Sequence, residues 1–464
     1  MRVAFRARDA AAWARARLRS GDPDARFEGV SIDTRTLAAG ELFVAIRGPN
    51  HDGHDYLAAA AAAGAAGCLV EPGRAVPEAA AQLPVLEAGD TTRALGRLGA
   101  GHRAGFAGPV VAITGSNGKT TTKEMCAAIL EAAGPTLKTR GNLNNQFGLP
   151  LTLLSREPQH ERIVVELGMN HRGEIAELAR IAGPTIGAVT NVGTAHVEHL
   201  GSREAIAEEK GDLLAALPEA GTAVVNADDD FAEALANRTR ARVVRFGRDP
   251  RAQVRAEAVR STPEGFAFEL VAPQGRAAVA VAGLGDPTLA NALCAAAAAL
   301  AAGASLPQVS AGLAAYRPVH GRLERRLLAS GIVLIDDSYN ANPQSMEVAL
   351  RLLARSGSGR RIAVLGDMGE LGPAAAKAHR EAGRLAAALQ LDHLVAVGRL
   401  APLVAEGAAE AGMPADRIAV VATSSEATRP VLEVARRGDW VLIKGSRSMR
   451  MERVAEGLGP EANA

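Results

Sequence analysis

The stretch AITGSNGKTTTKEM, residues 112–125, carries residue types that bind phosphate. A Walker A loop has the pattern G-x-x-x-x-G-K-[ST]. Gly118, Lys119 and Thr120 supply the end of that pattern, but the nearest upstream glycine is Gly115, so this loop is two residues shorter. An apolar β-type run precedes the loop and a helix-forming run follows it, which places backbone N–H groups where they can face a phosphate. We interpret the stretch as a phosphate loop, with a chance Gly/Ser/Asn turn as the alternative.

Residue types within and beyond the loop suggest a metal site. Lys119 can reach the outer phosphates and the Thr120 hydroxyl can ligate Mg²⁺. Glu166 ends the apolar run IVVE. A carboxylate buried there is costly unless it is paired or metal-bound, so Glu166 is either a Mg²⁺ ligand or a capping or salt-bridged residue.

Other polar residues are less informative by themselves. His196 and His199 form H-x-x-H, but the further ligands of a zinc site are missing, so a satisfied loop histidine is the simpler interpretation. Lys210 lies in the acid-rich stretch AIAEEKGDLL, which predicts a solvated lysine with helix ion pairs. The amide-rich loop GNLNNQFGLP suits recognition of a polar ligand, although it could be only a loop.

Composition limits the function classes. A chain of 464 residues suggests about three domains, and 48% hydrophobic with 22% charged residues is typical of a soluble globular protein. A net charge of +1 argues against nucleic-acid binding. We expect no secretory signal, no membrane span and no disulfide framework from three scattered cysteines, and therefore a cytoplasmic protein.

The pattern of strands and helices predicts an α/β protein with three domains. We expect a small α/β N-terminal domain over 1–85, with an alanine-rich helix at 56–63. A central P-loop domain with a mostly parallel sheet follows over 86–316, and a C-terminal Rossmann-like domain over 317–464. The Pro-rich segment 71–85 is interpreted as a linker or loop between domains. Ligands bind at the carboxyl ends of strands in such sheets.

Seven motifs occur in one order along the chain: TGSNGKTTTKEM, GNLNNQFGLPLTLL, VELGMNHRGEI, TNVGTAHVEHLGSREAIAEEKGDLL, DDSYNANPQSM, VLGDMGELG and VLIKGSRSM. Together they resemble the Mur ligases, over about residues 30–455. The short glycine loop is that family's own version of the phosphate loop. The resemblance implies an ATP-dependent ligase that needs Mg²⁺ and makes an amide bond through an acyl phosphate.

The motif DDSYNANPQSM is most similar to the branch that joins D-alanyl-D-alanine to UDP-N-acetylmuramoyl-tripeptide in peptidoglycan precursor synthesis. This branch implies a cytoplasmic monomer whose first domain holds the UDP-sugar, whose second holds ATP and whose third binds the dipeptide. The alternatives are a sister ligase that adds the third amino acid, a folylpolyglutamate synthetase and a non-enzymatic nucleotide switch. The first usually carries a D-N-P-R motif that we do not find, and the second lacks this first domain.

The resemblance also assigns residues. It implies catalytic roles for Lys119, Glu166, His196 and Lys210, and metal ligation by Thr120, Glu166, His196 and a carbamylated Lys210. The implied ATP-binding residues are Gly115, Ser116, Asn117, Gly118, Lys119, Thr120, Thr121, Asn291, Arg322 and Asp337. The predicted substrate-binding residues are Ser31, Asp33, Thr34, Arg35, His51, Gly53, His54, Asn142, Asn145, Asn340, Asn342, Lys444 and Arg447. Thr34 replaces the family's usual serine and keeps the hydroxyl.

Overall fold

The computed structural model describes residues 2–462 and contains three large β-sheets, one after another along the chain. Most strands are apolar runs that are buried on both faces, as expected where helices cover both sides of a parallel sheet. The predicted three-domain α/β architecture is confirmed. None of the helices within residues 2–462 combines the length and the apolar character that a bilayer crossing requires.

The first domain is a small α/β unit. Its elements are β1 (Phe5–Arg6), α1 (Ala7–Ala14), β2 (Arg17–Ser20), β3 (Arg26–Phe27), β4 (Gly29–Ser31), β5 (Glu41–Val44), α2 (Leu57–Ala62), β6 (Gly67–Val70), β7 (Val85–Glu87) and α3 (Thr91–Ala104). The sheet order is β2-β7-β6-β5-β4, with only β2 antiparallel to its neighbour, and β1 pairs separately with β3. The predicted linker at 71–85 is wrong, because this segment connects β6 to β7 inside the same sheet.

The central domain carries a nine-stranded sheet. Its elements are β8 (Val110–Thr114), α4 (Lys119–Glu131), β9 (Thr136–Lys138), α5 (Gly148–Leu154), β10 (Arg162–Glu166), α6 (Glu174–Ala182), β11 (Ile186–Val189), α7 (Val197–Leu200), α8 (Arg203–Ala215), β12 (Thr222–Asn226), α9 (Ala232–Ala236), β13 (Arg242–Gly247), β14 (Val254–Ser261), β15 (Gly265–Ala272), β16 (Gly275–Ala282), α10 (Gly285–Ala301) and α11 (Leu306–Ala315). The order is β16-β15-β14-β13-β12-β11-β8-β10-β9. Strands β8 to β14 run parallel, and β15 and β16 extend the sheet as antiparallel strands.

The third domain has a six-stranded sheet. Its elements are β17 (Glu324–Leu327), β18 (Val333–Asp337), α12 (Pro343–Ala354), β19 (Arg361–Gly366), α13 (Ala375–Ala388), β20 (His393–Val397), α14 (Ala401–Glu410), β21 (Ile418–Val421), α15 (Ser424–Val434), β22 (Trp440–Lys444) and α16 (Glu452–Gly457). The order is β17-β18-β22-β19-β20-β21, and only β17 is antiparallel to its neighbour. The loops after β18, β19 and β22 therefore leave the sheet at one edge, which faces the phosphate loop.

Candidate active site

The glycine loop turns sharply between β8 and α4. Gly115 has φ 151° and Gly118, which caps α4, has φ 81°. A Cβ atom on Gly115 would come 1.8 Å from Thr190 Oγ1, and one on Gly118 would come 2.2 Å from Asn291 Oδ1. Both positions therefore require glycine, because the backbone conformation and the space exclude a side chain.

The loop that follows β11 holds the glycine loop in place. Asn191 Oδ1 accepts a 3.0 Å hydrogen bond from the Asn117 backbone N–H, and Thr190 Oγ1 donates to the Asn117 carbonyl at 2.6 Å. The Gly193 N–H donates to Ser116 Oγ at 2.8 Å. Sequence reasoning missed Thr190 and Asn191, although both lie in the TNVGTAH motif. These bonds keep the turn open without using the N–H groups at the start of α4.

Lys119 stands at the first position of α4 and folds back over the loop. Its Nζ donates a 2.8 Å hydrogen bond to the Gly115 carbonyl. Burial lowers the pKa of Lys119, and the charge of Glu166 works against that shift. The ammonium group thus lies above the cradle that a phosphate would enter, where its charge is worth most. Thr120 and Thr121 follow it on the first turn of α4.

Glu166 ends β10 beside the loop and is 2% exposed. Its Oε1 accepts a 2.7 Å hydrogen bond from Asn144 Nδ2, and its backbone N–H donates to Thr139 Oγ1 at 3.1 Å. Among the described residues, nothing donates a hydrogen bond to the buried Oε2. An orphaned buried carboxylate oxygen is costly unless a cation pairs with it, so this atom fits a hard metal ion. Asn144 is a site residue that the sequence prediction did not name.

The interpretation of Lys210 as a surface lysine is wrong. The residue is 1% exposed on α8, and its Nζ lies 3.8 Å from Met169 Sδ. Burial, together with the charge of Lys119, lowers the pKa of Lys210 well below its usual range. The side chain points inward because the apolar and small residues of α8 pack against the sheet, while the acids of the stretch other than Glu209 face outward. A lowered pKa favours the neutral amine, which is the form that can take up CO₂ as a carbamate.

His196 connects the central and third domains. It adopts φ 65° at the start of α7, and its Nδ1 lies 2.6 Å from Glu370 Oε2. The hydrogen bond from His196 lowers the pKa of Glu370, despite partial burial. His199 does not take part in this contact, since its ring lies against that of His171 at 5.0 Å between centroids. His196 is hydrogen-bonded, as expected for a satisfied loop histidine, but its partner Glu370 belongs to the third domain.

Third-domain residues also reach α4. The Arg322 guanidinium lies 3.9 Å from the centroid of the Tyr339 ring and 3.4 Å from Thr120 Oγ1. Asn291, on α10, accepts a 3.3 Å hydrogen bond from Thr122 Oγ1. Two predicted nucleotide residues, Asn291 of the central domain and Arg322 of the third, therefore contact the first turn of α4.

A buried ion pair lies behind this surface. Lys444 Nζ is 2.5 Å from Asp337 Oδ2 and 2.9 Å from the Asn340 carbonyl. Burial raises the pKa of Asp337, while Lys444 works against that rise. Arg447 is exposed near Tyr339, at 5.7 Å from the ring centroid. The pair fixes the loop after β18, which carries Asn340.

The predicted first-domain residues lie on two loops. Asp33 and Arg35 form a surface ion pair at 2.6 Å, and the hydrogen bond from Arg35 lowers the pKa of Asp33 to about 2. Ser31 Oγ donates to the Asp33 carbonyl at 3.0 Å, which shapes the turn that carries Thr34. The Arg35 side chain pairs with Asp33 but is 86% exposed, so an anionic ligand can reach it.

The second loop contains His51, Gly53 and His54. The His54 Nδ1 lies 2.5 Å from Asp52 Oδ1, and the Glu71 N–H donates to Nε2 at 3.0 Å. Both ring nitrogens of His54 are therefore used inside the domain, whereas His51 is exposed. A Cβ on Gly53 would come 2.6 Å from the Ile46 nitrogen, so only glycine fits there.

The asparagines of the amide-rich loop have different roles. Asn145 Oδ1 accepts hydrogen bonds from the backbone N–H groups of Phe147 and Gly148 and so shapes the start of α5. Asn142 is exposed. Helix α5 in turn packs on α3 and on the first-domain core through Leu154, so this loop lies between the first domain and Glu166.

Comparisons with known proteins agree with this geometry. Three family models match: the Mur ligase family catalytic domain over residues 26–103, the Mur ligase middle domain over 113–299 and the Mur ligase glutamate ligase domain over 321–447. UDP-N-acetylmuramoyl-tripeptide–D-alanyl-D-alanine ligase of Escherichia coli (strain K12) is 38% identical over 441 residues, 94% of this chain and 94% of that protein.

Two solved structures are similar over nearly the whole chain. MurF from Acinetobacter baumannii has a TM-score of 0.89 at 34% identity, covering 98% of this chain and 99% of that one. MurF ligase from Thermotoga maritima in complex with ADP has a TM-score of 0.81 at 27% identity, covering 92% of this chain and 96% of that one. The order of the domains, the short phosphate loop and these similarities lead to one conclusion: the chain belongs to the Mur ligase family.

Proposed function

We propose that this protein is an ATP-dependent ligase that joins D-alanyl-D-alanine to the terminal carboxylate of UDP-N-acetylmuramoyl-tripeptide. The observation that carries the proposal is the meeting of the phosphate loop, the orphaned Glu166 carboxylate and the third-domain residue Asn342 at one cleft. The same activity is printed in the name of the Escherichia coli protein described above. The ligase would act in the cytoplasm as a monomer.

The phosphate loop supplies the ATP site. The N–H groups at the start of α4, together with the Lys119 ammonium that folds back over the loop, form a cradle suited to the phosphates of ATP. ATP provides the phosphoryl group that activates the tripeptide carboxylate. The protein's part is to align the two and to offset the negative charge that gathers between them. Arg322 adds a second cation from the third domain.

A magnesium ion fits the residues around Glu166. The Thr120 hydroxyl and the Glu166 carboxylate are oxygen donors of the kind that Mg²⁺ prefers, and Oε2 has no other partner among residues 2–462. His196 and a carbamylated Lys210 would complete the donor set. Mg²⁺ would neutralise phosphate charge in this site.

The UDP-sugar is assigned to the first domain. The exposed Arg35 offers a cation and the exposed His51 ring offers a hydrogen-bond donor, and both groups suit a diphosphate. The loop of Asn142 and Asn145 lies between this domain and Glu166, so the peptide part of the substrate would cross it on the way to the cleft. The dipeptide would enter from the third domain, whose strand-end loops carry Asn340, Asn342 and Arg447.

Phosphate release from purified protein with ATP and Mg²⁺ tests the proposal. We expect release that requires both UDP-N-acetylmuramoyl-tripeptide and D-alanyl-D-alanine. Replacing the acceptor with D-alanine, or the pair with glutamate and a folate, should abolish it. Release only with another pair would move the protein to a sister ligase. If none of the pairs gives phosphate release, the ligase assignment is rejected.

The carbamate on Lys210 has its own test. Protein equilibrated with ¹³C-bicarbonate should show a carbamate carbon signal in the NMR spectrum, and Lys210→Arg should remove it. Lys123→Arg is a matched control, because Lys123 is also fully buried but its Nζ already donates a 2.7 Å hydrogen bond to the Thr139 carbonyl. The same signal in wild type and Lys210→Arg would reject the carbamate.

A further inference from the structure

A cluster of three metal-binding residue types lies in the third domain, apart from the candidate active site. His320, Glu324 and Asp336 each offer one ligand atom, and these atoms all lie within 4.8 Å of one another. His320 belongs to the linker that follows α11, Glu324 begins β17 and Asp336 is on β18. The two acids stand directly opposite each other in the antiparallel pairing of β17 with β18.

Asp336 is the residue that points to a ligand. Its side chain is 0% exposed, and its Oδ1 accepts a 3.1 Å hydrogen bond from the Ser338 N–H. Within the described chain no group donates a hydrogen bond to Oδ2, which faces the cluster. Like charges directly opposite on paired strands destabilise a sheet, and a buried carboxylate oxygen without a hydrogen bond adds to that cost.

The neighbouring arginine compensates only part of this charge. Arg326 NH1 lies 3.5 Å from Asp336 Oδ2, an ion-pair separation without a hydrogen bond, and its Nε pairs with Glu461. The two carboxylates of the cluster together carry one more charge than this guanidinium. The cluster therefore remains a place of net negative potential that a cation would enter favourably.

The distances fit a small ion with an imidazole ligand. His320 Nδ1 is 3.0 Å from Glu324 Oε2 and 3.9 Å from Asp336 Oδ2. Ligands of a tetrahedral zinc ion, at about 2.0–2.2 Å from the metal, lie about 3.4 Å apart, between these two values. Imidazole together with carboxylates is a ligand set typical of Zn²⁺ and similar transition metals.

We propose that His320, Glu324 and Asp336 form a binding site for a divalent transition-metal ion of the zinc class. The side chain of His320 is 66% exposed, so the ion can reach the cluster from solvent. His320 precedes Arg322 by two residues, and Arg322 contacts Thr120 of the central domain. A bound ion ties the linker between the two domains to the sheet of the third domain. The proposal does not depend on the proposed ligase activity.

Equilibrium dialysis of the full chain against Zn²⁺, with metal analysis and excess Mg²⁺ present, tests the site. We expect His320→Ala and Glu324→Gln each to lower the affinity of one Zn²⁺ equivalent at least tenfold. Glu433→Gln is the matched control, because Glu433 is an exposed third-domain acid that pairs with Arg429 at 2.9 Å. It should retain that equivalent.

One further variant and a stability measurement keep the result decisive. Glu166→Gln should retain the same Zn²⁺ equivalent, which separates this cluster from the candidate magnesium site. Thermal unfolding of the metal-free variants should show no loss of stability, because His320 is exposed and Glu324→Gln removes the like-charge repulsion with Asp336. Binding curves that coincide for wild type, His320→Ala and Glu324→Gln would overturn the proposal, as would loss of the equivalent in Glu166→Gln alone.

Discussion

Asn342 Nδ2 donates a 2.8 Å hydrogen bond to Asn117 Oδ1, so the third domain touches the phosphate loop directly. The same side chain caps α12, since its Oδ1 accepts from the Ser345 N–H at 2.9 Å. Asn342 thus caps a helix of the third domain and also hydrogen-bonds to the phosphate loop of the central domain. Gln344 supports the contact, because its Oε1 accepts a 3.2 Å hydrogen bond from Asn117 Nδ2.

Substitution can separate the two roles of Asn342. Asn342→Ser keeps a good helix cap but cannot reach Asn117. We expect kcat/KM for ATP to fall about fivefold, the equivalent of one hydrogen bond worth about 1 kcal/mol, with thermal unfolding unchanged. Asn342→Ala removes both roles and should also lower the unfolding temperature. Wild-type kinetics for Asn342→Ser would show that the interdomain bond has no part in turnover.

Lys119 is expected to act on phosphates and not on the UDP-sugar. Lys119→Ala removes the ammonium group that folds back over the loop. The loss of a charge aimed at transferring phosphate costs about 10²–10³-fold or more in kcat. Phosphate-release kinetics should show this loss, while calorimetry should show nearly unchanged UDP-sugar binding. An equal loss of both would contradict the assignment of the two ligands to different domains.

Local signals explain which parts of the site could be predicted. The phosphate loop is a contiguous stretch between a strand and a helix, so its glycines and Lys119 are readable from spacing alone. Glu166 is readable as well, because it ends a buried apolar run. The roles of His196 and Arg322 came only from resemblance to a known family, since their partners Glu370 and Thr120 are over a hundred residues away in the chain.

Packing explains what the sequence could not predict. Lys210 is surrounded by acids in sequence, yet it is buried on α8. Its burial depends on which face of the helix packs against the sheet. Asn144 and Asn145 are adjacent amides, but only Asn144 meets Glu166. Strands β14 to β16 were not predicted either, because β14 and β15 mix charged and apolar residues and β16 is a run of small residues.

The buried pair of Asp337 and Lys444 should be tested for coupling. Lys444→Met leaves the Asp337 carboxylate buried without its cation, which is expected to lower the free energy of unfolding by about 3–5 kcal/mol. Adding Asp337→Asn removes the stranded charge, so the double variant should be more stable than Lys444→Met alone. Urea unfolding of the wild type, both single variants and the double variant measures the coupling. Additive losses would mean that the two groups do not stabilise each other.

Lys210 predicts a pH dependence of stability with a definite sign. Burial lowers the pKa of Lys210 well below the value of 10.5 that it has in an unfolded chain. Between those two values the unfolded chain binds a proton that the folded chain lacks, so the free energy of unfolding rises as pH rises. Lys210→Met has no such group and loses this part of the slope.

Urea unfolding between about pH 7 and pH 9, in buffer freed of CO₂ so that no carbamate forms, checks the sign. The wild type should gain stability relative to Lys210→Met as pH increases across this window. Lys377→Met is a suitable control, because Lys377 is exposed on α13 and forms only a surface pair with Glu381. Its curve should run parallel to that of the wild type. Parallel curves for Lys210→Met and wild type would instead mean that Lys210 stays protonated after folding, and a protonated amine could not take up CO₂.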